Sequence, residues 1–204
     1  MTDFNDSAPV DLFPPRADKK GPKTIAIILI MGSLLMIMVG FEDIQNSNRE
    51  DFEDAKSQVE NYQNLEVNVT EEEYQEYHDE VRDSGAYSVR GYSLLIGGIM
   101  VFVGGFMLYR LKSLGAKIST LGSGIGLIGG FYGSWMMSDT SEMLPPEVAQ
   151  TFEFLSYICG TCMLLCFAMS ILPLINASAR LALDQKVKLD VDSNFENNLT
   201  QEEE

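Results

Sequence analysis

Cys159-Gly160-Thr161-Cys162 sets two thiols three residues apart, and Cys166 follows four residues later. On a helix these offsets put all three sulfurs on one face, and an i,i+3 pair can satisfy disulfide geometry. The chemistry such a pair offers is thiol–disulfide exchange, with Cys159 and Cys162 as the catalytic candidates. The competing use is packing. The three cysteines lie inside an apolar run, with Cys159 roughly 8 Å from its start. A thiol there yields little nucleophilic thiolate and serves as a small hydrophobe. They are the only cysteines of the chain, and their clustering in one apolar run excludes a secreted disulfide scaffold.

Few other residues offer chemistry. His78 is the single histidine, so no Ser/His/Asp arrangement and no His-rich metal set can be built. Beside its glutamate neighbours it reads as a solvated surface residue. Residues 42–92 carry fifteen acidic side chains against four basic ones. Pairs such as Asp51/Asp54 are expected by chance in so acidic a stretch, and no calcium-loop spacing is present. No metal and no cofactor is expected. The acid is read first as a solvated helix face and second as a surface for a protein partner. Asn68-Val69-Thr70 is a sequon that makes Asn68 a glycosylation candidate. No phosphate-binding loop occurs.

The elements that carry these residues follow from charge and hydropathy. The chain has 204 residues and a formal charge of −16, from 14 Lys+Arg against 30 Asp+Glu. That balance repels nucleic acid. Nearly all of the charge lies outside four uncharged runs, each near the ~20 apolar residues that cross ~30 Å of hydrocarbon. The expected fold is therefore an all-α membrane protein. Its four transmembrane helices are 24–41, 93–109, 118–137 and 154–175, with the bilayer as the first partner. The third is the least apolar, holding six glycines. A cleaved signal peptide is the competing reading of the first run, which follows Lys19, Lys20 and Lys23. Its length and the absence of a clear cleavage site favour an uncleaved anchor.

Basic residues orient the spans. The arm 1–23, the loop 110–117 and the tail 176–204 hold ten of them, and the loops 42–92 and 138–153 hold four. By the positive-inside rule both termini are cytoplasmic and the chain is multi-pass. Within 42–92, Phe52, Ala55, Val59 and Tyr62 form one helical stripe, and Tyr74, Tyr77, His78 and Val81 form another. Between them Thr70-Glu71-Glu72-Glu73 reads as a capping box. The expectation is an extracytoplasmic acidic helical hairpin between the first two spans.

Small residues set the packing. Gly122, Gly126, Gly130 and Ser134 recur every four residues in the third span, with Gly129 and Gly133 alongside. Gly97 and Gly104 stand seven apart in the second. Lipid tails are as apolar as leucine, so close backbone approach is what drives helices together in a membrane. The short link 110–117 makes the second and third spans antiparallel neighbours, packed through Gly97, Gly104, Gly122, Gly126, Gly130 and Gly133. The same stripe can alternatively join two copies as a homo-oligomer.

With four spans and a CxxC in the last, the layout resembles the vitamin K epoxide reductase family. The likeness covers the motif and the span count alone. It implies a membrane thiol–disulfide oxidoreductase using Cys159 and Cys162. That family typically relays electrons through a second cysteine pair after its first span, and residues 42–92 contain no cysteine. A pump or channel usually carries ionisable groups along its path, and none of the four runs has one. The functional expectation is a non-enzymatic structural, assembly or partner-docking component, with the oxidoreductase first among the alternatives and a small channel or transporter after it.

Overall fold

In a computed structural model the described residues are 17–50, 55–64 and 67–183, and every regular element among them is helical. These are α1 (Lys20–Asn48), α2 (Ala55–Asn64), α3 (Glu71–Asp83), α4 (Ala86–Tyr109), α5 (Ser113–Thr140) and α6 (Pro146–Ile175), with a 3-10 turn at Ser141–Met143. Residues 177–183 are also helical. Phe52 and Leu65, the N-terminal 16 residues and the tail beyond 183 lie outside the described residues.

Three helices, α1, α4 and α6, are long and apolar enough to cross a membrane. This marks the chain as a membrane protein. Length and apolarity alone do not extend to α5, because glycine, serine and threonine dilute its aliphatic content. The outward faces agree with the assignment of the other three. Met31, Leu35 and Met38 on α1 are 62, 65 and 67% exposed, an apolar surface that water does not tolerate at this extent.

Each of the four runs drawn from hydropathy falls inside a longer helix. The run 24–41 lies within a 29-residue helix of about 43 Å. Both ends reach past the hydrocarbon thickness. A helix satisfies its own backbone on either side of the lipid boundary, so loss of apolarity does not end it. Lys20 and Lys23 of the basic arm therefore belong to α1, which begins at Lys20, where the Asp18 carboxylate accepts from the Lys20 and Gly21 amides at 2.9 and 3.2 Å.

The turns explain the direction of each helix. At α3 the capping box forms, with the Glu73 amide donating to Thr70 Oγ1 at 3.2 Å and the Thr70 amide donating to Glu73 Oε2 at 3.0 Å. Only Ser84 and Gly85 separate α3 from α4, and Gly85 takes φ +78°, a conformation with little cost only for glycine. At the other end α4 stops at Leu111, with φ +59°. Its amide donates to Leu108 O and the Lys112 amide to Met107 O, at 2.8 and 3.0 Å, which is a Schellman stop. Glycine usually fills that position. Leucine is kept there because its side chain is buried with Ala26, Leu29, Val101, Leu108, Ala116 and Leu183 in a cluster at this end of the bundle.

Between α4 and α5 the backbones meet. A Cβ added to Gly97 would fall 2.7 Å from Gly122 O and 3.0 Å from Gly126 N. One added to Gly104 would fall 2.6 Å from Ser119 N and 2.8 Å from Gly115 O. Gly130 faces Leu94 of α4 and the Met163 tip of α6, and a Cβ added to Gly126 would meet only the tip of Met36 from α1. α5 and α6 are joined by a polar contact, Ser123 Oγ to Ser170 Oγ at 2.9 Å, and by Thr120 Oγ1 donating to Ser170 O at 3.1 Å.

The opposite end holds a second cluster. Val59, Val69, Tyr74, Tyr77 and Val81 from α2, α3 and the stretch between them pack with Ala86, Tyr87, Met137, Leu144 and Val148. Tyr77 stacks on Phe152 of α6 with ring centroids 5.2 Å apart. The apolar stripes of α2 and α3 are thus spent on the ends of α4, α5 and α6 as well as on each other.

Candidate functional site

The site begins where α1 crosses α4. A Cβ on Gly40 would lie 2.7 Å from Leu95 N and 2.8 Å from Gly91 O, and one on Gly91 would lie 3.1 Å from Gly40 O. Two facing glycines let these backbones touch. The next turn of α1 then brings Asp43 beside Arg90. The Arg90 guanidinium donates through Nε to Asp43 Oδ2 at 2.7 Å and through Nη2 to Oδ1 at 2.5 Å. This two-pronged pairing matches the planar fork of arginine to a carboxylate. Asp43 is 2% exposed. From the third side α5 supplies Gly133, where a Cβ would sit 2.5 Å from the Arg90 Cβ. The missing side chain of Gly133 is the room that Arg90 occupies.

Sequence reasoning placed Asp43 and Arg90 among solvated loop charges. They are instead paired between two apolar helices, Asp43 buried and Arg90 half-buried. The available signal was their position: an acid two residues after Phe41, and a base three residues before Ser93, at the same end of adjacent spans.

His78 is likewise not at the surface. It is 1% exposed beneath the α2–α3 cap. Its Nε2 lies 3.4 Å from the Arg49 carbonyl and its Nδ1 3.2 Å from the Tyr87 hydroxyl. A carbonyl only accepts, so Nε2 carries the hydrogen and the Tyr87 hydroxyl donates to Nδ1. Burial lowers the pKa of His78 below its ordinary 6.5, against smaller opposing effects of the Arg49 carbonyl and Asp79. The folded chain therefore holds a neutral ring. Acidification protonates the unfolded chain first, so stability falls as pH drops below about 6.5 and stops falling on this account once the folded value is passed. Thermal unfolding in detergent between about pH 7 and 5.5 should show this slope. His78→Gln, which cannot take up a proton, should flatten it; an identical slope in the variant would remove His78 as its cause.

Beside the Asp43–Arg90 pair lies a cavity of about 660 Å³. α1 packs closely on α4, α4 on α5 and α5 on α6, while α1 and α6 meet only lightly. The cavity fills that gap. At one end it is lined by Glu42, Asp43, Asn46 and Arg90 and roofed by tyrosines of the cap. Burial raises the pKa of Tyr62, Tyr74 and Tyr77, so these phenols stay neutral hydrogen-bonding groups. At the other end it is lined by Gly32, Leu35, Met36, Leu127, Cys162 and Cys166.

All three cysteines border this space, as free thiols. Cys159 and Cys166 are half-buried and Cys162 is exposed. Among the described residues no group of His, Cys, Asp and Glu is arranged to hold a metal ion. Of the glycines named from sequence, Gly97, Gly104, Gly122 and Gly126 lie at the α4–α5 backbone contact, with the free side of Gly126 toward Met36 of α1, Gly130 lies between Leu94 and Met163, and Gly133 lies against Arg90. Asn68 is exposed in the non-helical stretch before α3. What the sequence did not reveal is the cavity itself, because it is bounded by residues up to 134 positions apart, from Gly32 to Cys166.

No protein-family model, no curated protein and no solved structure matches the chain, so a functional reading starts from the cavity, the ion pair and the cap.

Proposed function

We propose that the chain is a non-enzymatic docking or assembly component of a membrane, with four spans and both termini cytoplasmic. The fourth crossing is α5. It lies between α4 and α6, and Leu121, Ile128 and Phe131 on its free face are 60, 75 and 58% exposed, matching the lipid-type surface of its neighbours. Its small residues turn inward, where close packing needs them. The orientation rests on the ten basic residues of the sequence segments 1–23, 110–117 and 176–204. At the α4–α5 turn Lys23 lies 5.7 Å over the Tyr109 ring and Arg110 4.6 Å over Phe106, as side chains do when they reach from lipid to the headgroups. Tyr132 and Trp135 form a ring pair toward the other boundary.

One observation carries the docking role: the cap formed by α2 and α3 has its tyrosines locked onto the ends of α4, α5 and α6. A solubilising appendage would have no need of that anchorage. The locked cap presents Glu72, Glu76 and Glu80, all exposed, at four-residue spacing along one face of α3. A fixed acidic stripe suits a basic protein surface and speeds its encounter at low salt. The full chain, purified from its native membrane in mild detergent, should bring a stoichiometric partner. Glu72→Lys/Glu76→Lys/Glu80→Lys should lose it with the melting temperature little changed. Purification without any partner, or retention of the partner by the triple variant, would count against the docking role.

A thiol–disulfide oxidoreductase is the second reading, favoured by the three thiols bordering one cavity. Cys159→Ser/Cys162→Ser separates the two readings, because the docking role requires partner recovery to persist in that variant.

A further inference from the structure

The cavity between α1 and α6 has a polarity gradient along its length, and that gradient fits a particular occupant. On α1 its lining runs from Gly32 to Asn46, about 21 Å at 1.5 Å per residue. The wall is aliphatic and thiol-bearing along most of this path and becomes ionic only over the last turn. The long axis thus follows α1, from the depth of the hydrocarbon to its edge.

The cavity of about 660 Å³ lies within the ~300–1,000 Å³ usual for small-molecule sites. A single alkyl chain with a small head follows its long axis.

Charge selects the head. Arg90 is committed to Asp43 by two hydrogen bonds. Glu42 stands exposed at the mouth of the same end and has no ion-pair partner among the described residues. The polar end therefore carries one uncompensated carboxylate. It repels a fatty acid or a phosphate monoester and attracts an ammonium group, with Asn46 and the neutral tyrosine hydroxyls nearby to complete the hydrogen bonding.

We propose that this cavity binds a single-chain lipid amine, its alkyl chain along Met36, Leu127 and Cys162 and its ammonium group on Glu42. The ligand class is a primary amine on one long hydrocarbon chain, drawn from the bilayer. The proposal rests on the membrane setting of α1 and α6 and is independent of any partner at the cap.

The test is native mass spectrometry of the full chain in non-ionic detergent near neutral pH, with hexadecylamine and palmitate supplied at equal concentration. Hexadecylamine should give a one-to-one adduct, favoured over palmitate by about tenfold, the worth of a hydrogen bond to a charged group. Glu42→Gln should bring the two ligands near parity with an unchanged melting temperature. Cys162→Trp, which fills the apolar arm, should abolish the hexadecylamine adduct; if that variant does not fold, Leu127→Phe narrows the same arm. Equal binding of the two ligands by the wild-type chain, an adduct that survives filling of the arm, or a polypeptide crosslinked to Cys162 in the native membrane would each overturn the proposal.

Discussion

Arg90→Met should lower the stability of the folded chain by about 3–5 kcal/mol, the usual cost of removing one partner from a buried ion pair. The reason lies with the partner left behind. Asp43 is 2% exposed and both of its oxygens accept from Arg90. Without the guanidinium a carboxylate would lose both of these hydrogen bonds at an apolar helix crossing. Asp43→Leu should be severe for the complementary reason, since Arg90 would keep its charge against Gly133 and the cavity wall. The double variant Asp43→Leu/Arg90→Met removes both charges at once and should recover most of the loss, because a buried pair gains little over apolar side chains of similar volume. Thermal unfolding in detergent reads the difference. At ~2–4 °C per kcal/mol for a chain of this size, the single variants should melt on the order of 10 °C below the wild type. A double variant as unstable as the singles would show that the pair is not an isolated unit.

The second large effect is expected at the α4–α5 contact, and it differs sharply between glycines. Gly104→Val should push the two helices apart, since its Cβ would meet backbone atoms of Ser119 and Gly115 at 2.6 and 2.8 Å. Backbone cannot step aside as a rotamer can, so the cost should reach the upper part of the ~1–3 kcal/mol range for overpacked interiors, or exceed it. Gly115→Ala should behave similarly, because its Cβ would press on Leu108 N and Gly104 O. Gly126→Ala should be mild. There the obstacle is the terminal methyl of Met36, which has three rotatable bonds and open cavity beside it. Melting temperatures of the three variants test the ranking; equal losses at Gly104 and Gly126 would mean that the stripe acts through lipid or a second copy rather than through these contacts.

Much of this ranking is invisible to sequence. The four-residue recurrence of small side chains marks a face, and in the structure that face does meet neighbours. It does not say which neighbour, and the stripe is divided among α1, α4, α6 and Arg90. Helix existence was legible because apolar runs and the Thr70–Glu73 box act over a few residues. The membrane-crossing tendency of α1, α4 and α6 was legible for the same reason. Helix ends were not, because charged residues such as Glu42 and Asp43 continue a helix that the lipid boundary does not interrupt.

Relations between distant positions were hidden as well. Asp43 and Arg90 are 47 residues apart, and each alone looks like a solvated charge. His78 sits among glutamates in the sequence, yet only the docking of its helix on Tyr87 removes it from water. The thiol face of α6 was predictable from the 0, 3 and 7 offsets. That it borders an elongated cavity depends on how little of α6 touches α1, which no local pattern encodes.

The crossing at Gly40 and Gly91 has one more consequence. Aliphatic helices in hydrocarbon can slide along one another with little change in energy, because one leucine against lipid is much like another. A slip of α1 by one turn would shift Asp43 by about 5.4 Å. It would strand both charges in oil and drive Leu94 or Ile44 toward the backbone contact that two glycines now fill. The pair and the glycines together act as a key in a slot. They select a single vertical alignment for two otherwise interchangeable greasy rods, and with it the depth at which the mouth of the cavity opens.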